Sequence, residues 1–305
     1  MSPYLARRLL QSILVLLAVS LLAFGLIYLS GDPVRALVPL DATPQDVENI
    51  RHGFGLDQPI FIQYLTFIER ALQGDLGQSF KYRTNALSLV LERLPQTLLL
   101  ATASIVLAII VSLPLGVLAA TRRGKLADLL TTAFAMLSIS TPSFWLGMIA
   151  ILVFADWLRI LPASGIGTPQ QLILPALTLS AYSIGLVTRL VRATVSDILR
   201  QNYITTARAK GLSNATVNYR HALRNGLIPT VTVVALQFGT LLGGSVVVES
   251  VFAWPGLGFL MVQAITSRDL PLVRAIVLVI SLFFVLINLV TDILYTYLDP
   301  RIRYA

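Results

Sequence analysis

The sequence contains no cysteine and only two histidines among 305 residues. Lack of cysteine excludes disulfides, thiolate metal sites and cysteine catalysis, and it leaves the redox compartment open. Charge is also scarce: 12% of residues are Asp, Glu, Lys or Arg, where a soluble domain carries about 25%. No G-x-x-x-x-G-K-[ST] occurs, and Gly124-Lys125 lacks both the earlier glycine and the following Ser/Thr. A loop that cradles nucleotide phosphates is therefore absent. Neither H-E-x-x-H nor G-x-S-x-G appears, and there is no short-period repeat or low-complexity tract.

What the chain has in excess is apolar surface. Hydrophobic residues make up 56% of it, against about 45–50% in soluble domains, and several runs approach the roughly 20 residues needed to cross a bilayer. These features predict an all-α membrane protein of about six transmembrane helices. The first run, Leu9–Leu29, follows Arg7 and Arg8. It is longer than the apolar region of a signal peptide (about 7–15 residues) and no A-x-A-like site follows, so it reads as an uncleaved span. Further spans are predicted at Thr97–Ala120, Leu130–Trp157, Leu172–Leu190, Leu227–Val248 and Leu272–Leu294. Pro114 should kink the second. Between the first two lies a polar stretch, Gly31–Arg93, in which Ile60–Leu72 has the pattern of an amphipathic helix. The segment Glu249–Pro271 is too broken for a span.

Basic residues orient this arrangement. The N-terminus, the link Thr121–Asp128, the stretch Arg189–Arg224 and the C-terminus hold 14 of the 23 Lys/Arg against three acids, Asp128, Asp197 and Asp299. Lys and Arg in short links mark the cytoplasmic side, so both termini are expected there. The net charge of +8 then belongs to the membrane face and its lipid, and no nucleic-acid partner is implied. The expected division is residues 1–30 as cytoplasmic N-terminus and first span, 31–95 as an external domain, and 96–305 as a five-span core that includes a cytoplasmic loop, 193–225. His52 and His221 fall on opposite sides, which leaves no His-paired metal site.

That loop is the most informative segment. Tyr203–Pro229 is long enough for two short helices broken near Gly211-Leu212-Ser213, with Ser213 able to cap the second. Ala207, Ala209 and Gly211 are small and allow a partner to approach. Lys210, Arg220 and Arg224 offer charge to a cytoplasmic partner or, on the simpler reading, to anionic lipid headgroups.

Thr206-Ala207-Arg208-Ala209-Lys210-Gly211-Leu212, followed by Arg220-His221-Ala222-Leu223-Arg224-Asn225, resembles the EAA loop of ABC-importer permeases, and within them the dipeptide/oligopeptide/nickel branch. Gly31-Asp32-Pro33, Gly55-Leu56-Asp57-Gln58-Pro59, Gly74-Asp75-Leu76-Gly77, Glu249 through Gly258 and Asp299-Pro300-Arg301-Ile302-Arg303 match that branch in order. Thr205 and Thr206 stand where the general loop has Glu and Ala, so no docking glutamate is available. The resemblance implies a bacterial or archaeal inner-membrane transport subunit without an ATPase site. It implies a second homologous permease, two ABC ATPase subunits that hold ATP and Mg, and an external solute-binding protein; this chain itself binds no cofactor. On this reading ATPase coupling falls to Thr206, Ala207, Ala209, Lys210, Gly211, Arg220, His221 and Arg224. The implied cargo is a di- or oligopeptide, with glutathione or chelated nickel as alternatives.

Candidates for a gate or path are Pro142, Phe144, Gly239, Gly243, Glu249, Trp254, Pro255 and Gly256. Each has a structural reading beside the functional one. Gly239-x-x-x-Gly243 serves helix packing or a surface toward the sister subunit. Pro142 makes a fixed kink or a hinge. Glu249 and Trp254-Pro255-Gly256 form an external gate, a docking point or an interfacial aromatic anchor. Asn288 and Asp292 share one face of the sixth span, as an interhelical bond or a functional acid. A secondary transporter, which usually shows inverted halves, and a receptor or assembly subunit are the rival classes.

Overall fold

In a computed structural model the described residues are 2–29, 43–53 and 57–298. The motifs Gly31-Asp32-Pro33, Gly55-Leu56 and Asp299–Arg303 lie outside them. The described chain is helical, and its only β feature is an isolated bridge between Gln78 and Asn85. In order the helices are α1 (Ser2–Leu29), α2 (Pro44–Gly53), α3 (Ile60–Leu72), α4 (Ala86–Thr121), α5 (Leu126–Ser140), α6 (Ser143–Ala150), α7 (Pro169–Ile198), α8 (Asn202–Ala209), α9 (Arg224–Val251), α10 (Leu257–Thr266) and α11 (Leu270–Leu298). Wide, π-type turns extend α6 over Ile151–Trp157 and lead into α9 over Thr216–Leu223.

Five of these helices are long and apolar enough to cross a membrane: α1, α4, α7, α9 and α11. The sixth expected span, Leu130–Trp157, is a pair of helices, Leu126–Ser140 and Ser143–Trp157, bent by 107° at Thr141-Pro142; counted as one broken span it brings the number to six. The cause is local. Pro142 has no N–H to continue the ladder, and its ring drives Thr141 out of the helical region, to φ −83°, ψ 124°. Each arm is about 22 Å long, short of the ~30 Å hydrocarbon core. The second span also begins earlier than expected, because α4 winds from Ala86 through Pro95 and Pro114 without interruption.

Contacts group the chain into two compact units. The first contains residues up to Pro95 together with Gly256–Leu286. There α3 packs on the end of α1 through Phe24, Tyr64 and Phe67, with ring centroids 5.4 and 5.9 Å from Phe24, and Tyr64 Oη lies 2.7 Å from Ser20 Oγ. The strap 74–85 is pinned to the α10–α11 turn. Asp269, fully buried, accepts hydrogen bonds from Ser79 Oγ, the Lys81 N–H and the Leu272 N–H in the first turn of α11.

The second unit contains Gln96–Pro255 and the chain from Ile287. Its axis is α7, started by a capping box of Thr168 and Gln171 with Pro169 in the first turn. Close helix approaches here depend on glycines: a Cβ at Gly116 would stand 2.6 Å from Val191, and one at Gly185 2.5 Å from the Ala135 carbonyl. The core at one end of α7 is Val117, Ala120, Val187, Val191, Val195 and Ala222.

Candidate functional site

The expected coupling loop is built on that core. In α8, Ile204 and Ala207 lie one turn apart and are buried against Val217, which seats the helix. It ends in a Schellman turn: the Leu212 N–H donates to the Ala207 carbonyl at 3.3 Å and the Gly211 N–H to Arg208 at 2.9 Å. That turn requires a left-handed residue, and Gly211 supplies it at φ +79°. The next helix is capped by Ser213, whose Oγ accepts from the Thr216 N–H at 3.3 Å. Asn225 Nδ2 donates to Tyr203 Oη at 2.9 Å, a second brace between the two arms.

One expectation changes here. The second arm is not a separate short helix: from residue 214 to 251 the chain is helical without a break. Pro229 sits inside this helix, where it cannot donate to the Asn225 carbonyl.

The eight residues assigned to coupling gather on this loop but do not share one environment. Thr206, Ala209, Lys210, Gly211, Arg220 and Arg224 are exposed, His221 is half-buried, and Ala207 faces inward. Nothing lies within 4 Å of a Cβ added at Gly211, so its outer side is open. Ala207 therefore holds the loop's shape and does not present a surface.

The path candidates fall toward the other end of α9, a helix about 42 Å long at 1.5 Å per residue. Pro142 is the N-cap of α6 and Phe144 is exposed in its first turn. The α6 helix packs on the end of α9, where a Cβ at Gly147 would stand 3.1 Å from Val251 and 3.2 Å from Phe252. Gly239 is buried, while Gly243 is exposed with open space before it. Close packing within this chain thus uses Gly116, Gly147 and Gly185 rather than Gly243. Glu249 is 0% exposed and accepts from Thr97 Oγ1 at 2.9 Å. Trp254 is 2% exposed, with its indole N–H on the Gln96 carbonyl at 3.0 Å. Of the readings offered for Trp254, the interfacial anchor does not fit this burial: the side chain is an internal joint between α4 and the end of α9. Pro255 is half-buried and Gly256 buried. Asn288 and Asp292 are half-buried on α11.

Two buried acids carry more structure than their sequence context signals. Asp269 is one. The other, Asp128 in the first turn of α5, pairs with Arg192 of α7 and accepts the Gly124 N–H at 2.9 Å. A short acid–base spacing on one helix would have drawn attention to it, but its partner lies 64 residues away.

Residues 112–304 match the family model described as binding-protein-dependent transport system inner membrane component, and residues 1–101 match its N-terminal companion. Over all 305 residues the chain is 44% identical to the glutathione transport system permease protein GsiC of Escherichia coli (strain K12), covering 100% of both chains. The same protein of Shigella flexneri serotype 5b is also 44% identical over the full length of both. Among solved structures, the inward-facing MetNI methionine ABC transporter matches with a TM-score of 0.55 at 21% identity, covering 69% of this chain and 96% of that one. An amino acid ABC transporter crystallised with histidines matches at 0.54 and 16%, covering 69% and 94%. At those identities the structural matches speak for the fold alone. The full-length curated relatives and the match over 112–304 together establish that this chain belongs to the family of inner-membrane permease components of binding-protein-dependent ABC transporters.

Proposed function

We propose that this chain forms half of the translocation path of an ATP-driven importer for glutathione or a closely related short peptide. Residues 193–225 are its cytoplasmic contact with an ATPase subunit. The observation that carries the coupling role is the unbroken helix from residue 214 to 251. A loop braced by Ile204, Ala207 and Val217, and by Asn225 on Tyr203, moves as one piece with the membrane helix it leads into. An ATPase that grips Thr206, Ala209, Lys210, Gly211, Arg220 and Arg224 would thereby pull α9 as a rigid element. Without a phosphate-binding loop in this sequence, the motor must be another chain. The proposed partners are two such ATPases, a second permease and an external binding protein, with both termini of this chain in the cytoplasm and residues 31–95 outside.

Glutathione is favoured over other peptides and over chelated nickel by the full-length 44% identity to the GsiC permeases. The test is reconstitution of the assembled transporter in liposomes with its binding protein and labelled glutathione. Uptake that requires ATP and is outcompeted by unlabelled glutathione, and not by dipeptides, is expected. Uptake that persists without ATP would remove the coupling role, and dipeptide uptake with no glutathione uptake would replace the cargo.

A further inference from the structure

The helix α3 has three faces rather than two. Tyr64 and Phe67 point toward α1, where Phe67 is buried and stacks on Phe24. Arg274 also lies over the Phe67 ring, its guanidinium carbon 4.2 Å from the centroid. Thr66, Arg70 and Gln73 form a polar edge. The third face is apolar and uncovered: Phe61 is 70% exposed, Leu65 50% and Leu72 85%. With Ile68 they fall within about 60° of arc at ~100° per residue, a continuous stripe that water would penalise.

The depth of α3 says what covers the stripe. The helix is fastened to α1 by Ser20 and Phe24. The apolar helical run of α1 continues through Leu26-Ile27-Tyr28-Leu29, so Phe24 lies about 7.5 Å inside its C-terminal end and Ser20 about 13.5 Å. The flank of α1 at the same level is itself bare, with Leu21 56% and Leu22 71% exposed. Amphipathic helices that lie in a membrane surface bury their apolar face about 5–10 Å deep, with a polar edge turned to the headgroups. Position, stripe and edge of α3 all meet that description.

We propose that α3 lies in the bilayer surface at the C-terminal end of α1, with Phe61, Leu65 and Leu72 among lipid acyl chains. The segment between the first two spans is then moored in the membrane beside α1 instead of standing free in solution. Arg70, at the polar edge, keeps its guanidinium at headgroup level.

The absence of native cysteine makes the test direct. Single cysteines replace Phe61, Leu65, Leu72, Arg70 or Gln73 in the assembled transporter, are labelled with bimane, and are placed in lipid nanodiscs, where both faces meet solvent. All five positions are exposed, and ATP-dependent turnover reports that each variant is assembled. Brominated phosphatidylcholine is expected to quench labels at 61, 65 and 72 and shift their emission to the blue, with little effect of iodide. Iodide should quench labels at 70 and 73. Iodide quenching at 61, 65 and 72 equal to that at 70 and 73 would place α3 in water and overturn the proposal. Resistance of those three labels to both quenchers would overturn it in favour of a protein partner.

Discussion

Asp128 and Arg192 tie the first turn of α5 to α7 beside the proposed coupling loop. Arg192 Nη2 donates to Asp128 Oδ2 at 2.9 Å, and the aspartate side chain is 7% exposed while the arginine is 32% exposed. Asp128 also lies at a helix N-terminus, where the peptide dipoles favour an anion. Removing one member of a buried pair leaves an unbalanced charge, a cost reduced here by the solvent that reaches Arg192. Asp128→Ala is expected to lower the stability of the purified complex by about 1–3 kcal/mol, read as a lower melting temperature. The exchange Asp128→Arg with Arg192→Asp should restore only part of this, because the Gly124 N–H then loses its acceptor. A melting curve for Asp128→Ala that matches the parent would remove the pair from the stabilising contacts.

Gly211 separates backbone demand from surface demand. Its φ of +79° disfavours any Cβ, by about 1–2 kcal/mol for most residues and less for Asn or Asp. No neighbour would be struck. Gly211→Asn is therefore expected to insert and to retain part of its uptake. Gly211→Asp adds a charge of nearly the same size to a face proposed to meet the ATPase, and should abolish uptake while membrane insertion remains intact. Equal uptake by the two variants would mean that the turn matters only as geometry, and normal uptake by Gly211→Asp would remove the loop from the mechanism.

How far the sequence could be read depended on whether the signal was local. The periodicity over Ile60–Leu72 gave α3 its observed limits, since one turn of helix decides which side is apolar. The Ser213 cap and the break near Gly211 were readable for the same reason, because both involve residues three or four apart. The break at Pro142 was visible, but its 107° bend was not, because proline removes a hydrogen bond without setting the direction of the chain beyond it. The burial of Glu249 and Trp254 depends on Thr97 and Gln96, more than 150 residues away. The same holds for Asp128 and Asp269: an acid in a polar link looks solvated until its distant partner is known.

Two sets of glycines give opposite expectations. At Gly116 a methyl group would meet Val191 at 2.6 Å and the Thr188 carbonyl at 3.0 Å, so Gly116→Ala forces α4 and α7 apart. Overpacking of this kind costs about 1–3 kcal/mol, and the variant should show a lower melting temperature and reduced expression. Gly243→Ala meets nothing within 4 Å and in a helix interior should leave the isolated subunit unchanged or slightly more stable. If Gly243 faces the second permease, that same variant will weaken co-purification of the pair. Unchanged pairing would assign the open face of Gly243 to lipid or to the path.

The buried carboxylate of Asp269 gives the strap 74–85 its position. It holds Ser79 Oγ and the Lys81 N–H on one oxygen, and caps α11 through the Leu272 N–H on the other. Tyr82 adds a second attachment, its hydroxyl donating to Gln263 Oε1 at 3.0 Å. Asp269→Ala leaves these donors without an acceptor and removes the cap at once. Each hydrogen bond to a charged group contributes about 1.5–3 kcal/mol, so the loss exceeds what the Tyr82 contact can hold. Limited trypsin digestion of the assembled complex should then cut after Lys81 or Arg83 faster than in the parent. Ser79→Ala removes one donor and keeps the cap, and should open the strap less. If trypsin cuts parent and Asp269→Ala at equal rates, the strap is held by other contacts, and Asp269 serves only to start α11.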